Sequence, residues 1–98
     1  MLHRIVRMEF TADSKPVFIR HFKEKQIQIE NFDGCYSVEL LQDSKDELVL
    51  ATFSIWQNEQ YLELYRQSEF FKATWAVVKP LFNSKAQAWS YINNTEDE

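Results

Sequence analysis

The chain opens on an alternation. From His3 to Thr11, Val6, Met8 and Phe10 fall on one side and Ile5, Arg7 and Glu9 on the other, the two-residue period of a β-strand. The segment TADSKP follows, with Pro16 suited to a helix's first turn, and VFIRHFKEKQIQIE places Phe18, Phe22 and Ile29 on one side at helical spacing. This first helix ends near NFDG, where Gly34, the only glycine, supplies the permissive backbone a turn needs. CYSVELLQD and ELVLATFSIW read as two strands joined by the polar turn DSKD, an antiparallel hairpin. Asn58 is placed to cap a short helix running through Tyr65, and Ser68 to cap another beginning at Glu69, whose charge complements the helix N-terminus. Pro80 removes a backbone donor and kinks or closes that helix. AQAWSYI, short and alternating, makes a fourth strand.

The order β-α-β-β-α-β predicts an α+β, ferredoxin-like fold: a four-stranded antiparallel sheet with its helices on one face. In the third strand Val49, Ala51, Phe53 and Ile55 form one face, while Leu48, Leu50 and Trp56 flank Thr52 and Ser54 on the other. Both faces call for burial, and helices cover only one. The expectation is an isologous homodimer through the sheet, with Leu48, Leu50 and Trp56 buried between the two sheets. Arg7, Glu9 and Glu39 fall on the second sheet face, where ion pairing between strands or subunits is expected.

Composition narrows the function classes. Ninety-eight residues at 45% hydrophobic content suit one domain, expected over residues 1–92, with NNTEDE (93–98) as a disordered acidic tail. A formal charge of −4, with no Lys/Arg block, argues against nucleic acid. Cys35 is the lone cysteine, the N-terminus MLHRIVRMEF lacks a signal-peptide apolar run, and no segment approaches the roughly 20 apolar residues of a membrane span. A cytoplasmic protein without a membrane association is expected. No Cys/His cluster has metal-site spacing, so no metal is expected.

The densest chemistry lies in IWQNEQYLELYRQSEFFKATW, residues 55–75, with Trp56, Tyr61, Tyr65, Phe70, Phe71 and Trp75. At about 100° per residue, Phe70, Phe71, Thr74, Trp75, Val77, Val78, Leu81 and Phe82 span an arc of roughly 160°. Phe70, Val77 and Leu81 are expected to pack on the sheet, leaving Phe71, Trp75 and Phe82 to roof a cavity. Thr74 sits inside the arc, and its hydroxyl needs either the carbonyl four residues earlier or a partner in that cavity. Tyr61 and Tyr65, one turn apart, bring phenols toward the same region, and flat ligands favour apolar pockets with a few polar points. The same rings also suit a plain core. His21 flanks the first helix's apolar stripe, as a surface residue, a pocket acid/base, or neither. His3 lies near a strand end, and Cys35 reads as a small strand residue.

FDGCYSVELLQD followed by TFSIWQNEQYLELYRQSEFFKATW resembles the small antibiotic biosynthesis monooxygenase domains, from the Phe-x-Gly-Cys strand start through the strand-end Trp to a helix reading Ser-x-x-Phe-Lys. The resemblance runs over roughly residues 3–92. It implies a dimeric α+β barrel with a ligand cavity between the helices and the sheet of each subunit. It also implies chemistry on polycyclic aromatic or quinol-like substrates without metal or flavin, and hence no cofactor. Some relatives bind and degrade haem. The resemblance sets that branch's iron-ligating histidine at Trp75 and a pocket Trp at Tyr65, and the first strand lacks the branch's Asn. Indole does not ligate iron as imidazole does, so haem degradation is disfavoured.

Together these point to a cofactor-independent monooxygenase for a small aromatic or quinol. Tyr65 and His21 are the candidate catalytic groups, and Tyr61, Phe71, Thr74 and Trp75 are the candidate substrate contacts. The competing reading is a dimeric binding or structural barrel without catalysis, since few ionisable groups fall at the expected cavity.

Overall fold

The computed structural model describes residues 1–94. The expected tail falls mostly beyond them, and Asn93 is held by a 3.1 Å hydrogen bond between its Oδ1 and His3 Nε2. Four strands, β1 (Leu2–Glu9), β2 (Cys35–Gln42), β3 (Val49–Trp56) and β4 (Gln87–Ile92), form one antiparallel sheet in the order β2-β3-β1-β4. Helices α1 (Ser14–Glu30), α2 (Glu59–Arg66) and α3 (Glu69–Val78), with a 3-10 turn at Lys79–Leu81, complete the ferredoxin-like α+β arrangement.

Local chemistry sets the boundaries. Thr11 and Ser14 exchange side-chain-to-backbone hydrogen bonds at the start of α1, and Ser14 Oγ donates to the Leu81 carbonyl at 2.8 Å, fastening the helix to the 3-10 turn. Asn58 Oδ1 accepts from the Tyr61 N–H at 3.2 Å, and Ser68 Oγ accepts from the Phe71 N–H at 3.1 Å, so α2 and α3 begin on the caps the sequence offers. Regular α-helix gives way at Pro80, which lies in the 3-10 turn.

Gly34 has φ +79°, and a Cβ there would overlap the Tyr61 ring. Both the backbone sign and the close approach require glycine. Its carbonyl accepts from the Gln57 N–H at 2.7 Å, tying the start of β2 to the end of β3.

Register decides which sheet face meets the helices. Leu2 pairs with Trp56, Val6 with Thr52 and Met8 with Leu50, so these six side chains share one face. Met8, Phe10, Phe18, Phe22, Ile29, Val38, Leu50 and Val78 are all buried in a single core cluster, with Leu2, Trp56 and Leu62 in a second. Leu50 and Trp56, only 2% and 1% exposed, are therefore core residues of one chain, not residues held between two sheets. This corrects the sequence expectation. Both faces of β3 are apolar, and its periodicity carries no information on which one the helices take. Pairing with β1 settles it, because Val6, Met8 and Phe10 lie on the helix side.

The face left open carries Ile5, Ala51, Phe53 and Ile55, with Leu41, Trp89 and Tyr91 exposed around them. On it Arg7 and Glu9, two apart on one face of β1, form an ion pair at 3.0 Å within that strand, not between strands as expected. Ser84 Oγ also donates to Glu9 at 2.9 Å, and these bonds, that from Arg7 foremost, hold the Glu9 carboxyl below its usual pKa.

On α3 the sequence expectation that Val77 packs on the sheet does not hold. Val78 is buried and Val77 is 53% exposed. Phe71, Thr74, Trp75 and Val78 follow the i, i+3, i+4, i+7 spacing of an inward stripe, from which Val77 is rotated away. Phe70 and Leu81 do pack against the core.

Candidate functional site

Between the helices and the sheet lies a cavity of ≈ 310 Å³. That is the lower end of the range in which small-molecule sites fall, roughly 300–1,000 Å³. Its floor is apolar and buried: Met8, Phe18, Phe22, Val38, Leu62 and Val78. Arg66, Gln87 and Ala88 line it and are exposed, which marks the side where it opens.

Aromatic rings form one wall. Tyr65 lies 5.0 Å from Trp56 between ring centroids, tilted by 30°, and meets Phe32 and Phe71 edge-on at 4.9 and 5.1 Å. Phe71 and Trp75 stack at 5.8 Å with planes 10° apart, and Phe82 closes on Trp75 edge-on at 5.4 Å. Phe82 does not itself line the cavity; it supports Trp75 from behind and bridges to Phe10. Neighbours thus fix each ring in orientation.

A few polar atoms interrupt the apolar surface. Thr52, Ser54, Thr74 and Tyr65 line the cavity. Ser54 Oγ accepts from Trp56 Nε1 at 3.0 Å, which fixes the indole. Neither Thr74 nor Tyr65 has a side-chain hydrogen-bond partner among the described residues, so the Thr74 hydroxyl does not turn back to the carbonyl four residues earlier. Burial, with a smaller contribution from Cys35, pushes the Tyr65 phenol well above its ordinary pKa. It stays protonated and can donate or accept a hydrogen bond, but it is not a base at neutral pH.

Four of the six residues singled out from the sequence, Tyr65, Phe71, Thr74 and Trp75, line this one cavity. Tyr61 and His21 do not. Tyr61 is taken up by packing against Gly34 and the cluster of Leu2, Trp56 and Leu62. The His21 Nε2 is buried without a hydrogen-bond partner among the described residues, and no imidazole lines the cavity.

Two charged lining residues escaped the sequence reading. Arg4 shares the inward face of β1 with Val6 and Met8, and Arg66 closes the last turn of α2. A signal for Arg4 exists: it is the one charge on an otherwise apolar strand face. Arg4 donates to Ser90 Oγ at 3.0 Å, and its pKa is lowered by burial first and then by the nearby Arg66. Arg66 pairs with Glu63 at 3.1 Å across one turn.

Among the described residues no group of three or more His, Cys, Asp or Glu could hold a metal ion, and no helix is long and apolar enough to cross a membrane.

A ferredoxin-like α+β domain with an aromatic-walled cavity between helices and sheet is the class that fold and site define. Within it, the family model for antibiotic biosynthesis monooxygenases matches residues 1–77, and the chain belongs to that family. Solved structures share the fold at low identity. A Mycobacterium tuberculosis protein superposes with a TM-score of 0.86 at 18% identity, covering 99% of this chain and 98% of its own. A candidate antibiotic biosynthesis monooxygenase from Nitrosomonas europaea gives 0.86 at 13%, covering 95% and 98%. Another from Deinococcus radiodurans gives 0.86 at 13%, covering 96% and 93%. No curated protein matches the chain.

Proposed function

We propose that the protein is a cofactor-independent monooxygenase that oxidises a small planar aromatic or quinol in the cavity between α3 and the sheet. The observation that carries this reading is the ≈ 310 Å³ cavity walled by Tyr65, Phe71 and Trp75, inside a family named for monooxygenases. An oxidation at an activated CH2 balances simply: the carbon becomes a carbonyl, one oxygen atom of O2 enters the product and the other leaves as water. The substrate supplies all the electrons. The chain then contributes stacking surface on Phe71 and Trp75, hydrogen bonds from Tyr65 and Thr74, and exclusion of bulk water.

This division of labour suits a lining whose titratable groups are Arg4, Arg66 and Tyr65, none of them a neutral-pH base. Proton loss falls to substrates acidic enough to ionise at the site. The same scarcity of bases favours a second reading, a non-catalytic barrel that binds an aromatic without turning it over.

The open sheet face supports a homodimer. Ile5, Phe53 and Ile55 at its centre, with Leu41, Trp89 and Tyr91 around them, form an apolar surface that a second copy would cover by two-fold symmetry.

Dioxygen uptake by purified protein with a panel of quinols and anthrones tests the enzyme reading. Uptake above the uncatalysed rate is expected with at least one of them. Binding without uptake across the panel would leave the non-catalytic barrel in its place.

A further inference from the structure

We propose that the cavity takes its aromatic ligand as an anion, with a carboxylate or ionised phenol or enol held by Arg4 and Arg66 and the ring system against Phe71 and Trp75. This rests on the reading of the cavity as an aromatic site and specifies the ligand class.

The two guanidiniums come from different elements, β1 and α2, and converge on one cavity whose floor is apolar. Two like charges brought together beside low-dielectric walls repel, and their field is focused into the cavity. Arg66 is partly balanced by Glu63, at 3.1 Å on the same helix. Glu59 and Glu63 also act on Arg4, but no carboxylate lies within ion-pair distance of it among the described residues. Its one hydrogen-bond acceptor among the described residues is the Ser90 hydroxyl, a neutral group. A guanidinium that is partly buried and carries a full fork of N–H donors is thus left with most of that fork unclaimed by the described residues. An oxyanion bound there would take charge-assisted hydrogen bonds from Arg4 and relieve its repulsion with Arg66.

The geometry separates two ends. Arg66 and Gln87 are exposed where the cavity opens, while Phe18, Phe22 and Val38 close its floor. A ligand with an acidic group at one end and a planar hydrocarbon body at the other matches that gradient. A neutral hydrocarbon leaves the guanidiniums unused, and a cation is repelled.

The test compares 2-naphthoate with its uncharged isostere 2-naphthamide by isothermal calorimetry or tryptophan fluorescence on the full chain. A hydrogen bond to an ionised acceptor is about twice as strong as one to a neutral acceptor, so naphthoate should bind at least about tenfold more tightly than the amide. That preference should shrink as salt is raised. Arg4→Gln and Arg66→Gln should each remove most of it, by weakening naphthoate binding far more than amide binding. Arg66 is on the surface, so its variant folds even if the Arg4 variant does not. Equal affinity for acid and amide would overturn the anion proposal and leave the aromatic cavity standing. Failure of both probes to bind would overturn the cavity reading and the proposal together.

Discussion

Phe71 and Trp75, one helical turn apart on α3, stack with their ring planes 10° from parallel and their centroids 5.8 Å apart. Helix geometry makes them neighbours, and Phe82 and Tyr65, edge-on at either end, hold them in that pose. A flat wall is in place before any ligand arrives, so little ordering entropy is lost on binding.

A planar aromatic bound there should change Trp75 emission. In Trp75→Phe much of that change should vanish, with the thermal midpoint little altered, because a ring still backs onto Phe71. Haemin should give only loose association, without the sharp Soret band of histidine-ligated haem, since no imidazole lines the cavity. Fluorescence and absorbance titrations of the two proteins check both statements.

Tyr65 links stability to pH. Its phenol pKa is raised above the ordinary 10.0 in the folded chain, while in the unfolded chain it ionises near that value. The unfolded state therefore gives up this proton first. The contribution is fully present below pH 10 and is lost as pH rises from there toward the folded value. Denaturant midpoints measured on both sides of pH 10 should fall less steeply with pH in Tyr65→Phe than in the wild type, and a tyrosinate absorbance titration should show one phenol resisting ionisation until the fold opens.

Gly34→Ala should destabilise by about 2 kcal/mol or more. The positive φ alone costs an L-residue roughly 1–2 kcal/mol, and the new methyl must also displace the Tyr61 ring. Because Tyr61 packs on the cluster holding Trp56 and Leu62, the damage should reach the cavity wall. Urea unfolding and the ligand titration together measure both effects.

The ferredoxin-like order was legible in the residues because each element carried its own punctuation: Pro16 and Pro80, Gly34, and the caps Asn58 and Ser68. Much of the cavity wall was legible too, since Phe71, Thr74 and Trp75 repeat at helical spacing. What periodicity left open were choices between equivalents. β3 is apolar on both faces, and only its register with β1 sends Leu50 and Trp56 inward. Val77 and Val78 are adjacent and chemically alike, and the helix phase selects Val78. Tyr61 looked like a partner for Tyr65 one turn away, but the bare Cα of Gly34 takes its ring. Arg4 and Arg66 lie sixty-two positions apart, and only the pairing of β1 with β3 and the turn into α2 bring them to one cavity.

The same register moves the dimer test to new residues. Leu50 is core, so its replacement would report on folding. Phe53 stacks on His3 on the open face, ring centroids 6.0 Å apart, and Phe53→Asp would set a carboxylate at the centre of the expected interface. Sedimentation should find the wild type dimeric and Phe53→Asp monomeric with native-like circular dichroism. A wild-type monomer at micromolar concentration would contradict the dimer.

The most direct test of the cavity as the site of oxidation is dioxygen uptake with the best quinol or anthrone, compared between the wild type and Thr74→Phe. Thr74 lines the ≈ 310 Å³ cavity without a hydrogen-bond partner among the described residues, so a phenyl ring there fills the space and removes no bond that holds the fold. Uptake should fall at least about tenfold in Thr74→Phe while its thermal midpoint stays at or above the wild-type value, as expected when a void is filled. Undiminished uptake in a folded Thr74→Phe protein would show that the chemistry happens elsewhere and contradict the cavity as the functional site.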